Sequence, residues 1–446
     1  MQTADTIAAI ATPPGIGGVG IVRVAGPAVR RIAAAVVGRL PEPRRATTAA
    51  FRDAAGDALD VGIALFFEAP HSFTGDDVLE LQGHGGPVVL DALLRRVIDL
   101  GARIARPGEF SQRAFLNGKI DLVQAEAIAD LIEARTAQAA GLALRMLRGD
   151  FSRRISALAE DLVQLRTLVE ANLDFPDDST DLSDPVAIGG ALGRLIEATE
   201  AILAGANHGR VYREGLTVVV AGLPNAGKSS LMNALAGDEV AIVTQVPGTT
   251  RDLLRQEIAI DGIPMQLIDT AGLRESEDPV EREGVRRARQ ALERADHVLW
   301  VVDATAHEVA IDAHLAGLAG VARTIVRNKL DLLGEGGYTR ATEGGTEIGI
   351  SAVTGDGLAQ LRAHLRAIAT TGTGGEGSFL TRRRHIDALE RTLAALRHAG
   401  AMADAGGLEL VAEDLRNAHG ALGEITGAFS SEDLLDRIFS SFCIGK

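Results

Sequence analysis

The chain has 446 residues, of which 46% are hydrophobic and 24% charged, as in an ordinary globular protein. At roughly 100–200 residues per domain, this length predicts two to four domains. A single Cys excludes an internal disulfide framework. The chain also lacks a basic, apolar leader and any apolar run long enough to span a bilayer, so we expect a cytoplasmic protein without a membrane segment.

The net charge is −15, and aromatic residues make up only 3% of the chain. An acidic chain is not expected to bind nucleic acid over a large surface, because binding to phosphates depends on an excess of Lys and Arg. Few aromatic side chains also leave few platforms on which unpaired bases could stack. Any contact with RNA is therefore expected to be local, or shared with a partner that supplies the basic surface.

Residues 1–118 mix short apolar runs with glycine. Two of these runs are Gly18-Val-Gly-Ile-Val-Arg-Val24 and Asp77-Val-Leu-Glu-Leu81, each short enough for a strand. The stretch 87–100 is amphipathic and opens with Pro87, a residue that favours the first position of a helix. We predict an α+β domain here.

Residues 119–213 change to a helical period. Apolar residues at spacings of four and three form a heptad-like stripe: Phe151, Ile155, Leu158, Leu162, Leu165 and Val169. We interpret the stripe as a helix–helix core rather than a partner-binding face. The helix should break at Asp174-Phe-Pro-Asp-Asp178, and another should begin after Pro185, because Pro cannot continue a helix.

Residues 214–372 alternate apolar strands with helical patterns, which predicts a mostly parallel sheet with helices on both faces. The expected strands are 216–221, 258–260, 265–268, 297–302 and 324–327. A Gly-rich joint at 371–377 follows, and helical spacing resumes at Ile386, Leu389, Leu393 and Leu396. The simplest architecture inserts the α/β unit into a helical domain built from 119–213 and 373–446.

The α/β unit opens with a phosphate-binding motif, Gly222-Leu-Pro-Asn-Ala-Gly227-Lys228-Ser229. In this motif, loop N–H groups and the next helix N-terminus surround a phosphate, the Lys reaches the terminal phosphates, and the Ser hydroxyl ligates Mg²⁺. The motif alone also occurs by chance, so the assignment depends on the elements that follow it.

Two switch-like elements lie downstream. Thr249-Thr250-Arg251-Asp252 can bring the Thr250 hydroxyl to Mg²⁺, and Asp269-Thr270-Ala271-Gly272 follows a strand. In the second element the Asp can hold the metal through water, and the Gly N–H can meet the γ-phosphate. Both suit a switch that the γ-phosphate orders and that hydrolysis releases.

Two further segments indicate the base. Asn328-Lys329-Leu330-Asp331 follows an apolar strand, and Ser351-Ala352-Val353 precedes a Gly-rich turn. The Asp331 carboxylate can accept from guanine N1–H and N2–H₂, which adenine does not offer, while the second segment supports the base through backbone N–H groups. Alone, Asn-Lys-x-Asp also fits a solvated loop. With all five elements in this order, we predict a guanine nucleotide.

One position departs from the Ras-like pattern. Ras-like enzymes carry a water-orienting Gln directly after Asp-x-x-Gly, where this chain has Leu273. Because an apolar side chain cannot orient water, hydrolysis needs a polar group from the switch segment, a partner or a bound cation.

A further set of motifs extends over nearly the whole chain: Ala11-Thr-Pro-Pro-Gly15, Gly17-Gly-Val-Gly-Ile21, Ser72-Phe-Thr-Gly75, Leu79-Glu-Leu-Gln-Gly-His-Gly-Gly-Pro87, Arg106-Pro-Gly-Glu-Phe110, Lys119-Ile-Asp-Leu-Val-Gln-Ala-Glu126, Asp174-Phe-Pro176 and Cys443-Ile-Gly-Lys446. Together with the nucleotide-binding set, these motifs closely resemble the MnmE (TrmE) family of tRNA modification GTPases. They are far more specific than the GTPase motifs alone.

The resemblance implies a multidomain α+β and α/β fold: an N-terminal α+β folate-binding domain (1–118), a discontinuous central helical domain (119–213 and 373–446) and an inserted Ras-like P-loop G domain (214–372). It implies a homodimer joined through the N-terminal domains, whose G domains pair when GTP and K⁺ are bound. With the flavoprotein MnmG, which carries FAD and would complete a heterotetramer, the family adds an aminomethyl or carboxymethylaminomethyl group to C5 of the wobble uridine of certain tRNAs. A reduced folate (5-formyl- or 5,10-methylenetetrahydrofolate) supplies the one-carbon unit.

The resemblance also assigns residues to the GTP site. The implied GTP-binding residues are Asn225, Ala226, Gly227, Lys228, Ser229, Ser230, Thr244, Gln245, Val246, Pro247, Gly248, Thr249, Thr250, Asp269, Thr270, Ala271, Gly272, Asn328, Lys329, Leu330, Asp331, Ser351, Ala352 and Val353. Ser229 and Thr250 would ligate Mg²⁺.

A K⁺ site is implied at Asn225, completed by backbone carbonyls of Thr244, Val246 and Thr249. A cation beside the β- and γ-phosphates supplies the transition-state charge that an arginine finger gives elsewhere. Asn225 could instead bond its own loop backbone, and Pro247 stands where the family pattern has Ala.

Glu281 matches the family's water-orienting catalytic Glu and would replace the Gln that is missing at Leu273. The alternatives are Glu283, two residues on, and an ordinary solvated Glu at a helix start.

Arg23, Glu80, Lys119 and Lys446 match the folate-contacting positions, since a carboxylate suits the amino-pyrimidine edge of the pterin and cations suit the glutamyl tail. Use of Lys446 requires the last helix to dock on the N-terminal domain. Cys443 is either a small apolar residue or a reactive group near the one-carbon donor. His84 is expected to be a loop residue rather than a base.

Two other functions fit the GTPase motifs. A ribosome-assembly GTPase would be a binding switch, but such proteins usually append a basic RNA-binding domain, and this chain is acidic. A dimeric signalling GTPase without an RNA role would leave the folate-type motifs without purpose.

Overall fold

The computed structural model describes residues 5–174, 185–237, 255–269, 295–306, 322–342, 345–370, 379–429, 432–440, 442 and 445. The chain divides into two compact units. The first comprises Met1–Ala129, Met146–Ile196 and Arg391–Lys446, and the second comprises Asp130–Arg145 and Glu197–Glu390.

The described residues form thirteen strands and twelve α-helices. The strands are β1 (Thr6–Ile10), β2 (Gly17–Ala25), β3 (Thr47–Arg52), β4 (Ala58–Phe67), β5 (Val78–Gly85), β6 (Ala102–Ile104), β7 (Leu216–Gly222), β8 (Arg255–Ile260), β9 (Ile263–Asp269), β10 (His297–Asp303), β11 (Arg323–Asn328), β12 (Tyr338–Thr342) and β13 (Gly345–Gly349). The helices are α1 (Val29–Val37), α2 (Pro87–Asp99), α3 (Glu109–Leu116), α4 (Leu122–Glu133), α5 (Ala137–Leu147), α6 (Asp150–Asp174), α7 (Pro185–Glu214), α8 (Lys228–Ala236), α9 (Leu358–Thr370), α10 (Arg383–Asp404), α11 (Leu408–Thr426) and α12 (Glu432–Ser440).

The sheet of the first unit has the order β3-β4-β5-β2-β1-β6, and only β1 and β6 pair in parallel. Helices α1 and α2 cover one face. Helix α2 begins at Pro87, as the sequence predicts, and buries Leu90, Leu93 and Val97, whose spacing puts them on one side of the helix. They meet residues such as Val22 from the sheet. Each such side chain contributes about 1.5–3 kcal/mol of apolar burial.

The helical part of the first unit confirms the core interpretation of the apolar stripe. All six stripe residues on α6 are buried, and α6 packs against α11. Helix α6 ends at Asp174 and α7 begins at Pro185, as predicted to within a residue. The apolar residues that resume helical spacing after position 383 are also buried, on α10.

The second unit contains a sheet with the order β12-β13-β11-β10-β7-β9-β8. The five inner strands pair with one another in parallel, whereas the outer strands β8 and β12 pair antiparallel with β9 and β13. The prediction of a mostly parallel sheet is therefore confirmed. Helices α8 and α9 pack on one face. Strands β12 and β13 were not expected, because their sequences are polar and Gly-rich.

Some expectations cannot be compared with described residues. The joint at 371–377, most of the break at 174–178, and the segments 270–294 and 307–321 that should supply further helices lie outside the described ranges. The mixed fold class, with an α+β N-terminal part, a helical part and a Ras-like α/β part, is confirmed by the elements above.

Candidate functional site

The carboxyl ends of the parallel strands in the second unit meet at one edge of the sheet. Val301 on β10 lies opposite Gly222 at the end of β7, and Asp269 at the end of β9 lies opposite Val220. Asn328 ends the next strand, β11. Ligands of open α/β sheets bind at this edge, and every described residue of the expected GTP site lies there.

The phosphate-binding loop between β7 and α8 depends on left-handed backbone positions. Gly222 has φ +144°, Asn225 +63° and Gly227 +91°. A Cβ at Gly222 would lie 2.2 Å from the carbonyl oxygen of Val301, and one at Gly227 would lie 2.2 Å from Asn328 Nδ2. Only glycine fits these two positions, so the loop wraps closely over the strand ends and leads into the N-terminus of α8.

The side chain of Lys228, at the start of α8, folds back onto the phosphate-binding loop. Its Nζ donates to the carbonyl oxygens of Gly222, at 2.9 Å, and Leu223, at 3.0 Å. Burial lowers the pKa of Lys228, while the negative charge of Asp269 opposes this shift. Protein contacts alone therefore hold the ammonium group at the phosphate-binding loop.

Asp269 is a buried carboxylate beside the loop. The Ser229 hydroxyl lies 3.4 Å from Asp269 Oδ2, and Asp269 Oδ1 is buried without a hydrogen-bond partner among the described residues. A buried, half-satisfied carboxylate is costly unless a cation or bound water compensates it. Ser229 and Asp269 therefore fit a Mg²⁺ ion, Ser229 as a direct ligand and Asp269 through water.

Asn328 connects the phosphate loop to the base-binding loop. Its Nδ2 donates to the carbonyl oxygen of Ala226 at 3.0 Å, and its Oδ1 accepts from the N–H of Ala352 at 3.0 Å. The side chain is buried, so losing either contact would leave a polar group unsatisfied. Asn328 is therefore a structural bridge.

The base-recognition carboxylate is fixed by a neighbouring hydroxyl. Ser351 Oγ donates to Asp331 Oδ1 at 2.6 Å and accepts from the N–H of Thr354 at 3.1 Å. Asp331 itself is exposed, while Leu330 beside it is buried. One carboxylate oxygen of Asp331 is thus oriented, and the other is available for a ligand such as guanine.

Asp303, at the end of β10, is a residue of this site that the sequence analysis missed. Its Oδ2 accepts from Lys329 Nζ at 2.6 Å. Burial acts to raise the pKa of Asp303, but hydrogen bonds from Lys329 and Thr305 lower it overall. Because Asp303 lies opposite Asn328 in the parallel register, the end of the predicted strand 297–302 was the available signal.

The side chain of Asn225 is exposed and forms no hydrogen bond within the described ranges, so the alternative of a bond to its own loop backbone is not observed there. Ser230 and Val353 are exposed as well, at the same edge. The remaining expected residues of the GTP, K⁺ and catalytic sets lie outside the described residues: Thr244, Gln245, Val246, Pro247, Gly248, Thr249, Thr250, Thr270, Ala271, Gly272 and Glu281. Leu273 and the alternative Glu283 also lie outside them.

In the first unit, two of the expected folate residues form an ion pair. Arg23 on β2 lies directly opposite Glu80 on β5, and both Nε and Nη2 of Arg23 lie 2.9 Å from Glu80 Oε1. The Cζ of Arg23 also lies 5.8 Å from the ring centre of Phe110, on α3. Gln82 Nε2 donates to the second oxygen of Glu80 at 3.1 Å.

The C-terminal tail reaches this ion pair. The Gly445 carbonyl oxygen accepts a hydrogen bond at 3.2 Å from Arg23 Nη1, and a Cβ at Gly445 would lie 2.6 Å from the Ile10 carbonyl oxygen. The chain is guided there by α12 and Phe442, which are buried against α4 residues including Leu122. The docking that use of Lys446 requires is therefore observed up to its neighbour Gly445. Lys446 and Cys443 lie outside the described residues.

Lys119 and His84 lie elsewhere on the first unit. Lys119 Nζ donates to the Pro70 carbonyl oxygen at 2.7 Å, and no described contact joins it to Arg23 or Glu80. His84 is exposed, and its Nδ1 lies 2.7 Å from Asp60 Oδ1. His84 is the penultimate residue of strand β5, so the expectation of a loop residue was wrong. The sequence contained no signal for its pairing with Asp60.

Among the described residues, no group of three or more His, Cys, Asp and Glu side chains could hold a metal ion. No helix in the same ranges is long and apolar enough to cross a membrane.

Comparisons with known proteins give one consistent result. Residues 6–119 match the family model "GTP-binding protein TrmE N-terminus", and residues 122–443 match "MnmE helical domain". The tRNA modification GTPase MnmE of Thiobacillus denitrificans is 56% identical over 446 residues, covering 99% of this chain and 98% of that protein. The protein of the same name from Methylococcus capsulatus is 54% identical over 443 residues, covering 99% of each.

A solved structure is similar only in part. The crystal structure of Aquifex aeolicus Era bound to GDP and AlF₄⁻ is 27% identical, with a TM-score of 0.28, and the match covers 40% of this chain and 66% of that one. This TM-score is too low to indicate anything further about the present chain.

Proposed function

The chain belongs to the MnmE family of tRNA modification GTPases, and from this membership we propose a K⁺-dependent GTPase that is activated by dimerisation. With the flavoprotein MnmG it would add a carboxymethylaminomethyl or aminomethyl group to C5 of the wobble uridine of certain tRNAs. Its place of work would be the cytoplasm.

For GTP, the residues divide into those that hold the phosphates and those that read the base. Lys228 and the loop N–H groups would bind the β- and γ-phosphates, while Asp331 would accept from guanine and Ala352 would support the base. Mg²⁺, held by Ser229 and Thr250, would neutralise charge between the phosphates. The single observation that carries this part is the Asn328 bridge, because it fixes the phosphate loop and the base loop to each other.

For hydrolysis, we propose Glu281 as the residue that orients water. K⁺ would be held by Asn225 and by the backbone carbonyls of Thr244, Val246 and Thr249, and it would supply positive charge beside the phosphates. The exposed, unbonded amide of Asn225 in the described loop supports this role, since a side chain already bonded to its own backbone would not be free to ligate.

For the one-carbon donor, we propose that Arg23, Glu80, Lys119 and Lys446 bind a reduced folate, 5-formyl- or 5,10-methylenetetrahydrofolate. The half-buried Arg23–Glu80 pair offers a carboxylate and a guanidinium beside the docked tail. A carboxylate of this kind can recognise the amino-pyrimidine edge of a pterin, and cations can bind its glutamyl carboxylates. FAD would belong to the partner alone.

A homodimer through the N-terminal domain is supported by an apolar patch. Strands β2 and β4 begin, and β5 ends, at one edge of the first sheet. There Ile16, Val19, Val61 and Val88 are 93%, 61%, 55% and 83% exposed. Several large apolar side chains exposed at one edge are typical of an interaction surface. Because the chain carries a net charge of −15, tRNA would be bound mainly through MnmG, in a heterotetramer.

Reconstitution tests the proposal. Purified chain is combined with MnmG, unmodified tRNA, the folate, GTP and Mg²⁺ in KCl or NaCl, and the wobble nucleoside is identified by mass. We expect modification and GTP turnover in KCl and a large loss of both in NaCl. Equal turnover in the two salts would remove the K⁺ assignment, and an unmodified uridine despite turnover would remove the wobble-uridine function.

The ribosome-assembly alternative is not proposed. The relatives reported above match nearly the whole chain, including the part outside the G domain, and are named as tRNA modification GTPases.

A further inference from the structure

The hairpin formed by β8 and β9 lies between the two segments that the sequence predicts to be switches. Strand β8 begins three residues after Asp252, and β9 ends at Asp269, beside Ser229 of the phosphate loop. The hairpin is therefore the covalent link between the two elements expected to respond to the γ-phosphate.

The hairpin contacts the start of helix α5 at two points. Glu257 on β8 forms an ion pair with Arg135, in the turn that precedes α5. At the tip, Gly262 has φ +79°, and a Cβ there would lie 2.0 Å from the carboxamide of Gln138, on the first turn of α5. Both contacts lie within the second compact unit.

Beside the Arg135–Glu257 pair lies an open cleft with a volume of about 110 Å³. Its walls include Thr136 before α5, Glu214 at the end of α7, Ile258 on β8 and Met265 on β9. Solvent-accessible space therefore separates part of the hairpin from the turn before α5. Close-packed interfaces resist sliding, whereas an open cleft leaves room for small displacements at this boundary.

We propose that the β8–β9 hairpin is a lever that transmits the nucleotide state to helix α5 through Arg135–Glu257 and Gly262–Gln138. The proposal rests on the proposed GTPase function. Nucleotide can shift α5 only if these contacts differ between the GTP and GDP states. The side chains of Arg135 and Glu257 are 61% and 36% exposed, so their pair is a solvated contact that can re-form in either state. Helix α5 belongs to the helical segment 119–213, so its displacement carries the signal beyond the G domain.

The test uses hydrogen exchange in the full chain. Amides of α5 are compared in KCl with GDP and with GDP–AlF₄⁻, for the natural protein and for the double variant Glu257→Gln, Gln138→Ala. We expect exchange in α5 to depend on the nucleotide in the natural protein and to lose that dependence in the variant, with GTP turnover retained. Modification per GTP hydrolysed should fall about fivefold, the lower end of allosteric coupling.

Two further variants separate coupling from damage to the fold. The charge swap Arg135→Glu, Glu257→Arg should retain most of the nucleotide dependence, because it rebuilds the pair. Asp261→Asn is the matched control. It removes an ion pair of similar exposure at 2.9 Å that joins the same hairpin tip to Arg366 on α9, inside the G domain, and Asn tolerates the φ of +49° at that position. In this variant, hydrogen exchange in α5 should depend on the nucleotide as it does in the natural protein.

Nucleotide-independent exchange of α5 in a natural protein that hydrolyses GTP would overturn the lever alone. Full dependence in the double variant would also overturn it. A natural protein that neither binds nor hydrolyses GTP would overturn the proposed function, and the lever with it.

Discussion

The two candidate sites are assembled in different ways. In the second unit, the residues around the phosphate loop follow the ends of neighbouring parallel strands, and Asn328 ties the loops together. In the first unit, Arg23 meets a carbonyl group at Gly445, near the other end of the chain. The nucleotide site is therefore built from short motifs, and the folate-type site from a contact between distant segments.

This difference decides how each site can fail. A change at the nucleotide site acts on a ligand contact directly, because the loops are already held by the sheet. A change at the folate-type site can act from a distance, by undocking the tail. The separate cores of the two units further mean that damage to one need not reach the other.

The largest effect is expected for Asp331→Asn. The carboxamide would present a donor where guanine N1–H and N2–H₂ need acceptors, so preference should move from GTP to xanthosine triphosphate, which has a carbonyl at C2. A site built around specific hydrogen bonds discriminates by about 10⁴-fold, and we expect a change of that order in the ratio of the two kcat/KM values.

Ser351→Ala is the matched control for this substitution. It removes the hydroxyl that orients Asp331 at 2.6 Å but keeps the carboxylate. GTP affinity should fall, and the preference for GTP should remain. Unchanged GTP selectivity in Asp331→Asn would contradict the assignment of Asp331 to the base.

The second prediction sharpens the comparison of the two cores. Glu109 is buried in the first unit and accepts from Arg103 Nη1 at 2.9 Å, from the Arg106 N–H at 2.8 Å and from Arg113 Nη2 at 3.2 Å. Glu109→Gln leaves these guanidinium groups poorly paired and should lower the free energy of unfolding by about 3 kcal/mol. Circular dichroism follows the whole chain, while the only Trp, Trp300 on β10, reports the second unit.

We expect Glu109→Gln to shift the denaturant transition seen by circular dichroism and to leave the Trp300 fluorescence transition in place. The control is Glu68→Gln, which breaks an exposed pair with Arg30 at 2.7 Å and should change stability by less than about 1 kcal/mol. Identical shifts in both probes for Glu109→Gln would mean that the units unfold together.

The third prediction uses pH to separate the same two units. His297 is buried beside Thr324 and His364, with Nε2 2.8 Å from the Thr324 hydroxyl. Burial, with a smaller contribution from the charge of His364, lowers the pKa of His297 to about 4. Protonation therefore favours the unfolded chain as pH falls from 6.5, and the second unit should lose up to about 3 kcal/mol by pH 4.

In the first unit the acid-sensitive window lies lower. Burial acts to raise the pKa of Glu109, but hydrogen bonds and charges from Arg103 and Arg113, with the Arg106 N–H, lower it to about 2. Its contribution to stability is therefore present above pH 4.5 and is lost as pH falls towards 2. When denaturant unfolding is measured at a series of pH values, the free energy of unfolding reported by Trp300 should fall at a higher pH than that of the first unit. His297→Gln should make this fall smaller. A Trp300 transition that does not move between pH 6.5 and 4 would contradict the role of His297.

Much of the second unit could be predicted from local sequence. Short apolar runs ending in Gly222, Asp269 and Asn328 identify parallel strands and their motifs together, because the carboxyl ends of such strands converge. The strands β12 and β13 were missed, since polar edge strands carry little hydrophobic signal. Lys329 was expected, but its partner Asp303 was missed, although Asp303 directly follows the predicted strand 297–302 and lies opposite Asn328.

The first unit illustrates the limit of such reasoning. Its helix α2 and the stripe on α6 follow from periodicity. The contacts Arg23–Gly445 and Asp60–His84 depend on sheet register and on tail docking, which local patterns do not encode. The proposed folate-binding roles of Arg23 and Glu80 come only from the resemblance to a family.

The smallest effect is expected where the tail meets Arg23. Gly445 has φ +97°, and a Cβ there would lie 2.6 Å from the Ile10 carbonyl oxygen. Gly445→Ala should therefore lift the tail and remove the 3.2 Å hydrogen bond from Arg23. A hydrogen bond to a charged group contributes about 1.5–3 kcal/mol, so affinity for a reduced folate, measured by calorimetry, should fall at least about tenfold, with GTP turnover unchanged.

Gly38→Ala is the control, since Gly38 has φ +83° but nothing within 4 Å of its Cβ position. It should cause the same local strain without loss of folate binding. If both variants bind folate as tightly as the natural protein, the docked tail does not contribute to the folate site, and the Arg23–Glu80 pair would have to bind the pterin without it.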